Sequence, residues 1–133
     1  MVMMLRGVRG ATTADADSAE AIWAAARELL AEMITANRIH EDDVASVIFT
    51  TTPDLTAAYP ARAARDLGWT RTALMGMQEM AVPDSLERCI RVLIHWNTMR
   101  DLGEVRHVFL RGAAVLRPDL SAQPDGANGR DNA

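Results

Sequence analysis

Lysine is absent from this chain of 133 residues; all 14 basic residues are arginine. That absence excludes Schiff-base chemistry and a Walker-type phosphate lysine. Arginine is not deprotonated in practice, so it is a poor general base. It is a good clamp for carboxylates, through paired hydrogen bonds. Codon or thermal bias is the plain explanation for most of the fourteen. Cysteine is nearly absent too. The single Cys89 permits no intramolecular disulfide, which suits a reducing cytoplasm. Aromatic residues make up only 5%, so aliphatic and methionine side chains must fill the core. No apolar run is long enough to span a membrane. The opening "MVMMLRGVRG" has neither the long apolar region nor the cleavage site of a signal peptide. The expectation is a cytoplasmic protein. A net charge of −4 argues against nucleic acid or an anionic membrane as partner.

The usual chemical motifs are missing as well. His40, His95 and His107 lie far apart and the only cysteine is isolated, so no metal site is expected. "RGVRG" has two glycines but no Walker pattern, and no GxGxxG occurs. No motif supports a Ser/His/Asp or Cys/His nucleophile. His107 flanks an apolar strand and reads as structural. No cofactor site is expected.

What is present describes one α+β domain over residues 1–120. Hydrophobic residues reach 49%, enough for a folded core. The ending "SAQPDGANGRDNA" reads as a disordered tail over 121–133. Residues 2–9 read as a strand. "DSAEAIWAAARELLAEMITAN", 17–37, is the clearest helix, with Asp17 as cap and Glu20 completing a capping box. Ile22, Ala26, Leu29 and Met33 form its buried stripe, and Asn37 is its stop. Strands follow at 44–52, 72–78 and 89–97, with a short helix between Pro60 and Gly68. "EVRHVFLRGA" reads as a fifth strand and "AVLRPDL" as an extended closing segment. The result is a mixed sheet of about five strands with one long helix on one face. Such a helix cannot cover the sheet completely. The other face needs a partner, most simply a second copy of the chain.

The fourth strand, "CIRVLIHW", places an arginine in an apolar run. Ile90, Val92, Ile94 and Trp96 alternate toward the helix, so Arg91 points to the uncovered face. Glu79 sits between methionines in "GMQEMAVP", where a carboxylate is expensive. Two readings stay open for Arg9, Glu79 and Arg91: interface ion pairs, slightly ahead on spacing alone, or a site for a small anionic, hydroxyl-bearing ligand. Arg62 and Arg65, at i and i+3, read as a solvated helix face. Arg117 in "LRPDL" has Asp119 as a local partner.

Four ordered blocks resemble a known family: "RGVRGATT", "TPDLTAAYPARAAR", "MQEMAVPDSLERCIRVL" and "VRHVFLRGAAVLRPDL". The chain is similar to the monofunctional, trimeric, β-rich chorismate mutases, as distinct from the all-helical class. The resemblance implies a trimeric pseudo-α/β-barrel with active sites between subunits. It implies the cofactor-free Claisen rearrangement of chorismate to prephenate, on the route to phenylalanine and tyrosine. Arg91 would stabilise negative charge growing on the ether oxygen, Arg9 would bind the side-chain carboxylate, and Glu79 would accept from the ring hydroxyl. From a neighbouring subunit, Tyr59 and Ala61 would form an apolar wall. Arg62, where the family often has lysine, would lie near the ring carboxylate, with Arg65 close by. Backbone amides of Met75 and Gly76 would assist, and Leu116 and Arg117 would close over the site. Phe109 replaces a familiar tyrosine and Gly76 a familiar cysteine or serine. Reduced affinity is expected from both, more than a lost reaction. The competing expectations are a non-catalytic trimeric module binding a small carboxylate, and a trimeric imine or enamine deaminase.

Overall fold

The computed structural model describes residues 2–117. The expected tail over 121–133 and Asp119 lie outside the described residues. Strand β1 (Met4–Thr13) is followed by helix α1 (Ala19–Asn37), β2 (Val44–Thr51), the short helix α2 (Arg62–Asp66), β3 (Ala73–Gln78), β4 (Cys89–Thr98) and β5 (Val108–Phe109). They form one five-stranded sheet in the order β3-β2-β4-β1-β5. β1 and β2 run antiparallel to the central β4, while β5 runs parallel to β1 and β3 parallel to β2. The expected mixed sheet with one long helix is the fold.

Alternation decides what each face carries. Val8 on β1, Val47 and Phe49 on β2, and Val92, Ile94 and Trp96 on β4 are buried against Leu29, Leu30 and Met33 of α1. The stripe read from the sequence is therefore the buried one, with Ile22, Ala26, Leu29 and Met33 fully enclosed. Gly10 on β1 faces Leu29 and Met33 so closely that a Cβ would collide with the Met33 sulfur. Its absence of a side chain lets the helix sit on the sheet. On the opposite face, Leu5, Met75 and Met77 are exposed and Ile48 and Leu93 half-buried.

Three local expectations are corrected. Asp17 does not cap α1. Ser18 does, its hydroxyl accepting from the Ala21 amide at 3.1 Å. Asp17 instead binds the 56–57 loop, accepting from the Thr56 amide, the Thr56 hydroxyl and the Ala57 amide. The Thr56 hydrogen bonds hold its carboxyl below the usual carboxylate range. The fifth strand shrinks from the expected 104–113 to two residues, because Asn37 takes the backbone before it. The Asn37 amide donates to the Met33 and Arg106 carbonyls, both at 2.9 Å, and its oxygen accepts from the Arg106 amide at 2.8 Å. Beyond β5, Arg111–Leu116 wind into a 3-10 helix where an extended segment was expected. The Thr13 hydroxyl accepts the Gly112 amide there, and Ala113 bonds back to Leu110.

Asn37 ends α1 as expected and is also a buried bracket. Asn37→Ala leaves the Arg106 amide and carbonyl without their side-chain partner, while the Met33 carbonyl keeps its helix bond. We expect a loss of about 2–4 kcal/mol. Urea unfolding at fixed protein concentration should show the lower midpoint; an unchanged midpoint would contradict this role.

Candidate active site

Arg91 stands on β4 opposite Ala11 of β1 and Thr50 of β2. Glu79 directly follows β3, its amide bonded to the Thr51 carbonyl at 2.8 Å. The Thr50 hydroxyl donates to Glu79 Oε1 at 2.7 Å, which fixes the carboxylate. Arg91 Nε lies 3.6 Å from the same oxygen, too far for a hydrogen bond. This Nε is buried and has no hydrogen-bond partner among the described residues. An ion pair built for stability would satisfy that donor. Here the carboxylate is positioned by Thr50, and a buried guanidinium N–H is held without an acceptor.

Other cations gather on the same face. Arg9, on β1, has its guanidinium carbon 5.7 Å from the Phe109 ring centroid. Phe109 is buried on β5 opposite Ala11. Burial lowers the Arg9 pKa from its ordinary value, Arg91 and Arg117 lower it further, and Glu79 opposes them. So Arg9, Arg91 and Arg117 share one electrostatic neighbourhood with Glu79 among them. That field favours a ligand with more than one negative charge. Leu116 packs on the cluster of Ala11, Cys89, Phe109 and Ala113 beneath. Burial pushes the Cys89 thiol up, which suits a packing role over a reactive one. His107 holds the β1 backbone beside Arg9. Its Nδ1 accepts the Arg9 amide at 3.0 Å, and burial, then Arg9 and Arg117, lower its pKa, which favours the neutral ring this bond requires.

The remaining candidates lie elsewhere. Tyr59, Ala61, Arg62, Arg65 and Gly76 line a cleft of about 950 Å³ between the start of α1, the 52–62 segment and the β3 edge. Phe49 and Leu74, which belong to the helix side of the sheet, also line it. Tyr59 is 83% exposed, and a side chain at Gly76 would meet open space. Met75 separates from Gly76: it pairs with Ile48 and shares the parity of Met77 and Glu79, on the Arg91 face. The structure therefore brings Arg9, Glu79, Arg91, Phe109, Leu116 and Arg117 to one face. It leaves Tyr59, Ala61, Arg62, Arg65 and Gly76 on the other side of the sheet. Two clusters of candidate residues result, and they do not meet within one chain. Sequence reasoning missed Thr50, which orients Glu79; its only signal is strand alternation opposite Arg91. It also missed Trp23, which borders the second cleft.

Among the described residues no three potential metal ligands cluster, and no helix is long and apolar enough to cross a membrane. Residues 5–120 match the family described as chorismate mutase type I. The chain belongs to that family. It is 52% identical to the chorismate mutase AroH of Thermus thermophilus over 120 residues, covering 90% of this chain and 98% of that protein. It is 43% identical to chorismate mutase AroH of Bacillus subtilis (strain 168), covering 90% and 94%. A solved chorismate mutase from Clostridium thermocellum superposes with a TM-score of 0.81 at 53% identity, covering 83% of this chain and 98% of that one. The family's reaction has a substrate with two carboxylates, and the candidate residues offer an arginine-rich face and a separate cleft.

Proposed function

We propose that this chain is a chorismate mutase, an isomerase that converts chorismate to prephenate in aromatic amino acid biosynthesis. The observation that carries the residue-level reading is the buried Nε of Arg91, without a hydrogen-bond partner among the described residues, beside a carboxylate already fixed by Thr50. The reaction is unimolecular. The enzyme must hold the folded substrate conformer and stabilise charge that grows as the ether C–O bond breaks. A donor aimed at the ether oxygen gains strength as that charge develops, so it favours the transition state over the ground state. Arg91 has that role. Glu79 accepts from the ring hydroxyl, Arg9 binds the side-chain carboxylate, and Leu116 and Arg117 close over the site. No proton has to move, in keeping with the lack of a poised acid–base pair.

The second half-site comes from another subunit, in a homotrimer. Tyr59 and Ala61 give an apolar wall and Arg62 and Arg65 the charge for the ring carboxylate. On the subunit that carries Glu79, the edge-strand backbone of Met75 and Gly76 borders the ring hydroxyl. The apolar strip of Leu5, Met75 and Met77 on the uncovered sheet face is what subunit association would bury. Phe109 removes one hydroxyl from the carboxylate site and instead presents a ring to Arg9. Gly76 removes a side chain from the cleft. Both changes act on affinity. They leave Arg91, Glu79 and Arg9 in place, so a non-catalytic carboxylate-binding module is not favoured. A deaminase reading has no feature of its own here.

The test is direct. Purified protein mixed with chorismate should discharge its near-UV absorbance, with prephenate confirmed by acid conversion to phenylpyruvate. Chorismate that binds but persists at high protein concentration would refute catalysis.

A further inference from the structure

We infer that Trp23 is a positioning residue for the substrate-binding cation Arg62. Trp23 lies in the first turns of α1, half-buried, outside every residue role that the family resemblance assigns. Its indole Nε1–H donates to the Tyr59 carbonyl at 3.1 Å. The Arg62 guanidinium carbon stands 4.0 Å from the centre of its ring. One side chain thus holds two parts of the second half-site: the backbone that carries the Tyr59 wall, and the charge of Arg62. All three residues line the same cleft.

Arg62 needs such a support. Its side chain is 55% exposed, and its guanidinium makes no hydrogen bond among the described residues. Its one carboxylate neighbour, Asp66, approaches Nε only to 3.8 Å, while the other Asp66 oxygen is engaged by Arg27 at 3.1 Å. A long side chain held so loosely would spread over many rotamers, and ligand binding would have to collect them. The indole face removes part of that cost beforehand. A flat guanidinium stacks on an aromatic ring in a way an ammonium does not. The arginine at a position where lysine is familiar therefore reads together with the tryptophan as one paired feature.

This inference rests on the reading of Arg62 as a chorismate-binding residue, so the experiment separates the two. KM and kcat for chorismate are measured for the parent, Trp23→Leu, Trp23→Phe, Arg62→Ala and the double variant Trp23→Leu/Arg62→Ala. Trp23→Leu should raise KM about tenfold, with a much smaller fall in kcat. Trp23→Phe keeps an aromatic face and should recover most of the loss. In the Arg62→Ala background, Trp23→Leu should add little, because its target is gone. If Trp23→Leu does not fold, Trp23→Phe against Trp23→Met decides the same point, with the lower KM expected for Phe. A KM within twofold of the parent in Trp23→Leu overturns the inference. So does a Trp23→Leu effect of full size in the Arg62→Ala background, which would make the tryptophan merely structural. An unchanged KM in Arg62→Ala removes the binding role of the cation, and the inference with it. A parent without mutase turnover instead refutes the proposed function.

Discussion

Arg91→Ala lowers kcat for chorismate by about two to three powers of ten, the usual effect of removing one preorganised donor to a developing oxyanion. KM should change far less, because the charge that Arg91 meets exists mainly in the transition state. The variant should still fold. Among the described residues Arg91 makes no hydrogen bond through Nε, which lies 3.6 Å from Glu79 Oε1. Glu79 keeps its bond from Thr50 when the arginine is gone. An ordinary ion-pair member would behave in the opposite way: its loss would strand a carboxylate and lower stability while sparing turnover. Arg91→Lys separates charge from geometry, since an ammonium keeps the charge without the planar fork; its rate should fall between the parent and Arg91→Ala. Steady-state kinetics alongside thermal unfolding decide the matter. Near-normal kcat in Arg91→Ala would end the role assigned to this residue.

The face of β4 was legible because alternation is a local property. Ile90, Val92, Ile94 and Trp96 turn inward, so Arg91 must turn outward. The α1 stripe was legible for the same reason, at helical spacing. What failed were decisions made by distant partners. Asp17 looks like a helix cap until Thr56 and Ala57 supply better donors from another loop. The 104–113 stretch looks like a strand until Asn37, 69 residues earlier, takes the Arg106 backbone. Trp23 looks like one more apolar helix residue, because Tyr59 and Arg62 reach it only through the tertiary fold. The family resemblance named the candidate residues and gave Tyr59 and Ala61 to a neighbouring subunit, but did not place them on a face of the sheet. Alternation in "LMGMQE" separates Met75 from Gly76, yet only the fold reveals that α1 leaves the Gly76 side open as a cleft.

That division leads to the second large effect. Arg9, Glu79 and Arg91 lie on one side of the sheet, and the cleft of Arg62, Arg65 and Gly76 lies on the other. On the proposed reading of these residues, a single chorismate does not span a packed layer, and a complete site takes parts from two chains. Consider Arg91→Ala and the double charge reversal Arg62→Glu/Arg65→Glu, each nearly inactive alone, refolded together in equal amounts. In a closed ring, a site takes its arginine face from one subunit and its cleft from the next. It is intact only when the first carries the charge reversals and the second carries Arg91→Ala. With random assembly that holds for about one site in four. Activity should therefore rise to about a quarter of the parent value on mixing, far above either variant alone. Sedimentation of the same samples should give a trimer. If each chain held a whole site, every site in a mixed ring would carry one lesion or the other. Mixing would then yield only the average of two poor enzymes, and the interfacial site would be refuted.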